Sequence, residues 1–357
     1  MGDVAQWPRW LLILLGVCGC VFEVTAAGGE AAATRGYVSN EDGHSVSVLD
    51  LRTASNIGTI EVGKRPRGLK LTSDGSRLLV AVSGLPKCPP SVPDEECAKR
   101  ERDLKADGIA VVDTALRKVI RVLEAGSDPE QFAMSGDGKR LYVANEDAGT
   151  MSVVDVEAAK VVARVKVGLE PEGVALTPDE RWVLVTNESD NSVSVIDTKT
   201  LEVKSHVAVG KRPRDIAFTR DGKTAYVSGE LDASLYRMTV PAGEPVERVL
   251  QLREAAKPMA VVLDEPRHRL YLSTGRGGTV AVVDIQSSPA QLIKEVPAGT
   301  RPWGIALSSD GRFLYTANGP SNDVSVIDTT TLTTVKRIPV GGSPWGVVLG
   351  PAPPSSQ

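Results

Sequence analysis

Seven times along the chain a proline precedes a residue that opens an apolar run: Pro66-Arg67, Pro129-Glu130, Pro171-Glu172, Pro213-Arg214, Pro258-Met259, Pro302-Trp303 and Pro344-Trp345. Arg67, Glu130, Glu172 and Arg214 are groups for moving protons and gripping an anion, because a carboxyl exchanges protons and a guanidinium holds a carboxylate through paired hydrogen bonds. Met259, Trp303 and Trp345 offer apolar faces on which a flat ligand can stack. Proline fixes φ, so each of these residues leaves a rigid turn. The competing reading is internal: the charges pair with one another and the tryptophans pack on neighbouring prolines. A second polar set ends other apolar runs, at Asn40-Glu41, Asn145-Glu146, Asn187-Glu188, Gly229-Glu230 and Asn318. The asparagines read as turn residues that bond their own backbone. The glutamates would add to a polar rim.

These residues need a scaffold, and an internal repeat supplies it. The 357-residue chain repeats an opening phrase at Gly68–Leu71, Gln131–Met134, Gly173–Leu176, Asp215–Phe218, Ala260–Leu263, Gly304–Leu307 and Gly346–Leu349. A second phrase begins at Tyr37, Leu79, Tyr142, Leu184, Tyr226, Tyr271 and Tyr315. Each unit holds four apolar runs of strand length, parted by turn signals such as Ser73-Asp74-Gly75, and alternation shows in Ser192-Val193-Ser194-Val195. Four strands per unit of about 40 residues is the pattern of a propeller blade. Helical repeats would show a 3.6-residue period, which is absent. The expected fold is therefore all-β: a seven-bladed β-propeller over residues 35–350, with four antiparallel strands per blade. The chain starts at a second strand and ends with a first strand, so the N-terminal strands should pair with the C-terminal strand and close the ring. In such a ring the residues after the prolines and the ends of the second strands collect at one mouth of the central channel. Residues 351–357 read as a disordered tail. An aspartate closes the third strand in most blades (Asp50, Asp113, Asp155, Asp197, Asp284, Asp328) and reads as a turn cap. Blade 5 shows Arg237-Met238 instead.

The N-terminus differs from the rest. Arg9 precedes an apolar run from Trp10 to Phe22, and small residues follow at Thr25, Ala26 and Ala27. This is the layout of a secretory signal over residues 1–27. A lipoprotein signal acylated at Cys20 is the alternative. Neither reading leaves a membrane span in the mature chain. Cys88 and Cys97 stand in an insertion in blade 2, residues 84–107, with Pro86, Pro89, Pro90 and Pro93. A pair of cysteines in an exported chain reads as a disulfide. The insertion reads as a solvated ornament or as a lid or partner surface over the channel mouth.

Tyr37-Val38-Ser39-Asn40, Ser192–Asp197 and Arg301–Leu307 resemble the repeats of YVTN-family propellers of exported bacterial and archaeal surface proteins. Leu314–Gly319, Asn322–Asp328 and Ser343–Val348 are similar to propellers associated with PQQ-dependent alcohol catabolism. The resemblance spans the mature chain and implies the fold. It implies a PQQ association by likeness only, and no resident cofactor.

Other chemistry is poorly served. The 41 basic and 45 acidic residues leave a net charge of −4, with no field for nucleic acid. In the repeat frame His44 falls in a channel-face loop, His206 on an outer strand and His268 on the opposite face, so they do not converge on a metal. Cys-x-x-Cys-His, Gly-x-Ser-x-Gly and phosphate-loop motifs are absent, and Gly275-Arg276-Gly277-Gly278 joins strands rather than opening a helix. The leading expectation is a periplasmic or secreted, non-catalytic propeller that binds a small molecule or an exported protein through its channel face. One alternative is a lactonase-like or lyase-like enzyme using Glu130, Glu172, Arg67 and Arg214. Another is a cell-surface structural module.

Overall fold

The computed structural model describes residues 1–2, 34–87, 96 and 101–353. Residues 3–27 of the expected export signal, both cysteines of the expected disulfide and residues 354–357 lie outside the described residues. Residues Ala32–Gln357 form one compact unit, and Met1–Ala31 form another. Among the described residues no helix is long and apolar enough to cross a membrane.

The compact unit is a seven-bladed β-propeller of four-stranded antiparallel sheets. Blade 1 is built from both ends of the chain, in the order Pro344–Gly350, Arg35–Asn40, Ser45–Asp50, Ser55–Glu61. Tyr37 pairs with Val348 and Val38 with Val347, so the last strand lies innermost beside the first. Blades 2 to 7 each run outward from an inner strand: Leu69–Leu71, Pro129–Met134, Pro171–Leu176, Pro213–Phe218, Val261–Asp264 and Pro302–Leu307.

Alternation of apolar and polar residues is weak in the two middle strands because both faces of each sheet are covered. Ser45–Asp50 is buried at every position, serines included, whereas the outer strand Val203–Ala208 alternates with solvent. The apolar residues form clusters that lie between blades. One joins Tyr37, Val46 and Ile60 of blade 1 to Leu69, Leu78 and Ala110 of blade 2, and corresponding clusters fill every other interface around the ring, through to the one between blades 7 and 1. The third and fourth strands slip register by a bulge in all seven blades, which adds local twist at the rim.

The asparagines of the second phrase do not bond mainly their own backbone, as expected from sequence. They are buried, and each donates Nδ2 across the blade. Asn187 reaches Ser192 and Ser194 Oγ at 3.0 and 2.9 Å, and Asn318 reaches Ser325 Oγ at 2.9 Å. This pins the second strand to the third and explains the buried serines. Glycine is required where the next turn crosses that amide: a Cβ at Gly168 or Gly341 would stand 2.5 Å from Asn187 or Asn40. The closing aspartates cap turns, as Asp197 Oδ1 does for the N–H groups of Lys199 and Thr200. In blade 5 the equivalent position is Thr239, paired with Thr224 as Asp197 is with Trp182, rather than Arg237-Met238.

Because Pro344–Gly350 is the innermost strand of blade 1, a chain ending at Ser343 should lose cooperative unfolding. A chain ending at Pro351 should melt like the full-length protein. Thermal unfolding followed by circular dichroism distinguishes them, and a cooperative melt of the shorter chain would refute the closure.

Candidate functional site

The turn entering each inner strand repeats one backbone device. The residue before each proline is left-handed, with φ between 44° and 55° at Arg65, Asp128, Glu170, Arg212, Lys257, Arg301 and Ser343. A non-glycine residue there costs about 1–2 kcal/mol, and the fold accepts it once per blade. Of these residues Arg65, Asp128, Arg212, Arg301 and Ser343 line a cavity of about 440 Å³ at the channel mouth. Arg67, Glu130, Glu172, Arg214, Trp303 and Trp345 line the same bowl. Met259 lies deeper, at a constriction it shares with Gln131 and the tryptophans.

Two guanidiniums organise the acidic side. Arg67 is 2% exposed and reaches Asp128 at 2.5 Å, Glu130, and Glu146 at 3.5 Å. Arg214 is 8% exposed and binds Glu172, Glu188 and, at 2.6 Å, Glu230. The internal reading of these charges therefore describes Arg67 and Arg214: each is paired with three carboxylates of the protein. Each belongs to a Lys-Arg-Pro-Arg segment whose outer arginine braces the next layer. Arg65 holds Glu41 at 2.9 Å, and Arg212 holds Glu188 at 2.5 Å.

Burial and neighbours spread the acidities. Burial raises Glu41, but Arg65, Lys87 and Arg67 outweigh it and hold the carboxyl below its usual range. Asp128 is likewise held low, burial being outweighed by Arg67, Ser83 and Arg65. Glu172 is raised by burial despite Arg214. Glu146 is pushed up to about 7 by burial, with Asp128 and Glu172 adding to it against Arg67. Its side chain is 31% exposed, against 9% for Glu130.

The other wall is aromatic and basic. Trp303 and Trp345 lie 5.5 Å apart between ring centroids, tilted by 34°. Arg301 sits over Trp303 at 4.9 Å, and Arg214 approaches the same ring at 5.6 Å. Arg301 and Arg276 line the bowl without an ion-pair partner among the described residues. At the near end of the insertion, Leu85, Pro86 and Lys87 form part of the rim, and Lys87 meets Glu41 at 3.1 Å.

The proline-based reading thus gathers six of its seven residues, Arg67, Glu130, Glu172, Arg214, Trp303 and Trp345, at one cavity. It misses Arg65, Asp128, Arg212 and Arg301, which stand two positions earlier in the same frame, just before the proline. It also misses Arg276, in the loop dismissed as a phosphate binder. The histidines stay apart: His44 accepts from the Arg65 N–H at 3.3 Å, His206 meets Ser194 on an outer strand, and His268 ends a short turn.

The architecture defines the class, a seven-bladed β-propeller with a charged channel mouth. The family model described as "Lactonase, 7-bladed beta-propeller" matches residues 197–347, and that described as "Cytochrome D1 heme domain" matches residues 101–238. No curated protein matches. Among solved structures, hydrazine synthase of Kuenenia stuttgartiensis is similar at 24% identity and TM-score 0.70, over 83% of this chain and 92% of that one. The periplasmic gluconolactonase of Pseudomonas aeruginosa is similar at 19% identity and TM-score 0.71, over 90% of this chain and 100% of that one. A putative 6-phosphogluconolactonase of Bacteroides fragilis is similar at 15% identity and TM-score 0.72, over 90% and 99%. At these identities the likeness to solved structures establishes the fold. The leading expectation of a non-catalytic binding propeller is corrected by the lactonase family model, which favours its enzymatic alternative. Among the described residues no His, Cys, Met or Tyr lines the bowl, so these residues offer a haem iron no ligand.

Replacing Arg214 by Met leaves Glu172, Glu188 and Glu230 facing one another with only Arg212 in reach. The loss should be about 3–5 kcal/mol at pH 8. Crowded carboxyls take up protons more readily folded than unfolded, so stability is kept below their unfolded pKa and lost as pH rises. The deficit should therefore shrink at pH 5, as denaturant melts of native and Arg214→Met protein at both pH values will show.

Proposed function

We propose that the bowl hydrolyses a lactone. The observation that carries this reading is Glu146, a partly exposed carboxyl on the cavity wall whose pKa of about 7 suits a general base near neutral pH. Glu146 takes a proton from water, and the water oxygen attacks the lactone carbonyl. Negative charge develops on the carbonyl oxygen and meets Arg301, a cation with no ion-pair partner among the described residues. The ring C–O bond then breaks, and the proton held by Glu146 passes to the leaving ring oxygen, giving the hydroxy acid. Trp303 and Trp345 offer a face for the substrate ring. Glu130, Glu172, Arg67 and Arg214, the candidates read from sequence, hold the electrostatic setting of Glu146 from behind. The lactonase family model over residues 197–347 supports the reaction class.

We also read the enzyme as exported to the periplasm or beyond. Residues 1–27 support this as a signal, as does the Cys88–Cys97 pair as a disulfide. So does the likeness to a gluconolactonase described as periplasmic. The YVTN-type affiliation, with its PQQ-associated subgroup, is part of the same reading and rests on the repeat phrases alone.

Purified protein should hydrolyse glucono-δ-lactone or its 6-phosphate faster than the spontaneous rate, measured by acid release in weak buffer. Its kcat/KM should climb with pH through an apparent pKa near 7. Glu146→Gln should lower kcat by about 10²–10⁴-fold with an unchanged melting temperature. Turnover of neither lactone, or full activity in Glu146→Gln, would remove this reading.

A further inference from the structure

Beneath the constriction the channel widens into a second chamber of about 480 Å³, reaching the far ends of the inner strands. Its chemistry is unlike the bowl's. Leu69, Leu71, Met134, Val174, Ile216 and Val347 give its wall an aliphatic stretch. The third residue of the repeated opening phrase is alanine or valine in six blades, at Ala133, Ala175, Ala217, Val262, Ala306 and Val348. In blade 2 it is Lys70. Small residues suit a place where seven strands converge on one axis, and a lysine there is an exception that packing does not require.

Lys70 lines this chamber, and its ammonium has no hydrogen-bond or ion-pair partner among the described residues. Asp215, the one acid of the wall, is engaged elsewhere. Its two oxygens accept the backbone N–H groups of Ile216 and Val261, each at 2.9 Å. Gln131, on the adjacent blade, also lines the chamber, and its amide makes no hydrogen bond among the described residues. Two donors on neighbouring strands are thus presented to the chamber without a hydrogen-bond partner among the described residues. Burial also pulls the Lys70 amine below its usual range, opposed only by Asp215. An ammonium so placed is costly unless a counter-anion joins it.

We propose that the lower chamber is a second binding site, separate from the bowl, for a small carboxylate with an aliphatic body. The carboxylate accepts from the Lys70 ammonium and the Gln131 amide, and the chain lies on Leu69, Met134 and Val174. The site stands independently of the lactone reaction, since none of its donors lines the bowl.

Octanoate is a suitable probe, with octanol as its uncharged counterpart, in calorimetric titrations of the full chain. Octanoate should bind and octanol should not compete with it. Lys70→Met should weaken octanoate at least about tenfold, as expected for one charge-assisted hydrogen bond. Lys70→Arg should retain most of the affinity, and Arg301→Ala should change nothing. In the native protein, octanoate should protect Lys70 from acetylation by acetic anhydride, read by peptide mass spectrometry, whether or not the variants fold. Absence of octanoate binding, unprotected Lys70, or binding lost in Arg301→Ala instead of Lys70→Met would each overturn the proposal. The last would assign the ligand to the bowl.

Discussion

Every blade has two apolar faces, and the rest of the structure follows from the need to cover both. A four-stranded sheet alone would expose both faces and two edges. Here each face meets the next blade, and the interfaces between blades hold the hydrophobic clusters. Such an arrangement is satisfied only by a closed ring. That is why the chain's last strand returns to pair with its first, Tyr37 against Val348. Closure also sets the channel: the inner strands converge on the axis, and their entry turns converge on one mouth.

The mouth is where the fold accepts unfavourable local terms. Left-handed non-glycine residues precede all seven prolines, and two guanidiniums are buried. Burying an ion is costly unless its partners are close and well aimed. Arg67 and Arg214 meet that condition by holding three carboxylates each. Those carboxylates outnumber the buried cations; burial raises Glu146, at the edge of the Arg67 cluster, and the surplus negative charge of Asp128 and Glu172 adds to it. The internal pairing that first argues against a functional site is thus what tunes one of its members.

The fold was legible because its determinants are local and repeated. Turn residues, strand-length runs and the phase of the two ends suffice to count blades and infer closure. The site was legible in part, since a proline marks each entry and the next residue faces the bowl. What sequence could not supply was partnership. Arg67 and Glu146 are far apart in the chain, and nothing near either says that Asp128 stands between them. The asparagines were misread for a related reason: their buried serine partners belong to the third strand, across the blade. Arg301 and Arg212 carried a usable signal in their place before the proline, but a left-handed turn is invisible until the backbone is seen. The binding role inferred first erred by weighing absent motifs. The reaction proposed for the bowl needs no histidine or serine triad, only carboxyls and cations brought to one rim by separate blades.

That assembly has a direction. Acidic groups dominate the bowl on the side of blades 2 to 5. Arg301, Arg276 and the tryptophan pair occupy the side of blades 6, 7 and 1. A molecule with a polar carbonyl and a ring is therefore not free to enter in any pose: its electron-rich end is drawn toward Arg301 and away from the acidic side. Because the groups sit on seven inner strands locked by interfaces on both sides, this field does not have to be assembled when substrate arrives. Preorganised charge of this kind lowers a barrier without reorganisation at the moment of reaction. A closed ring can hold it because no blade can move without opening two packed interfaces.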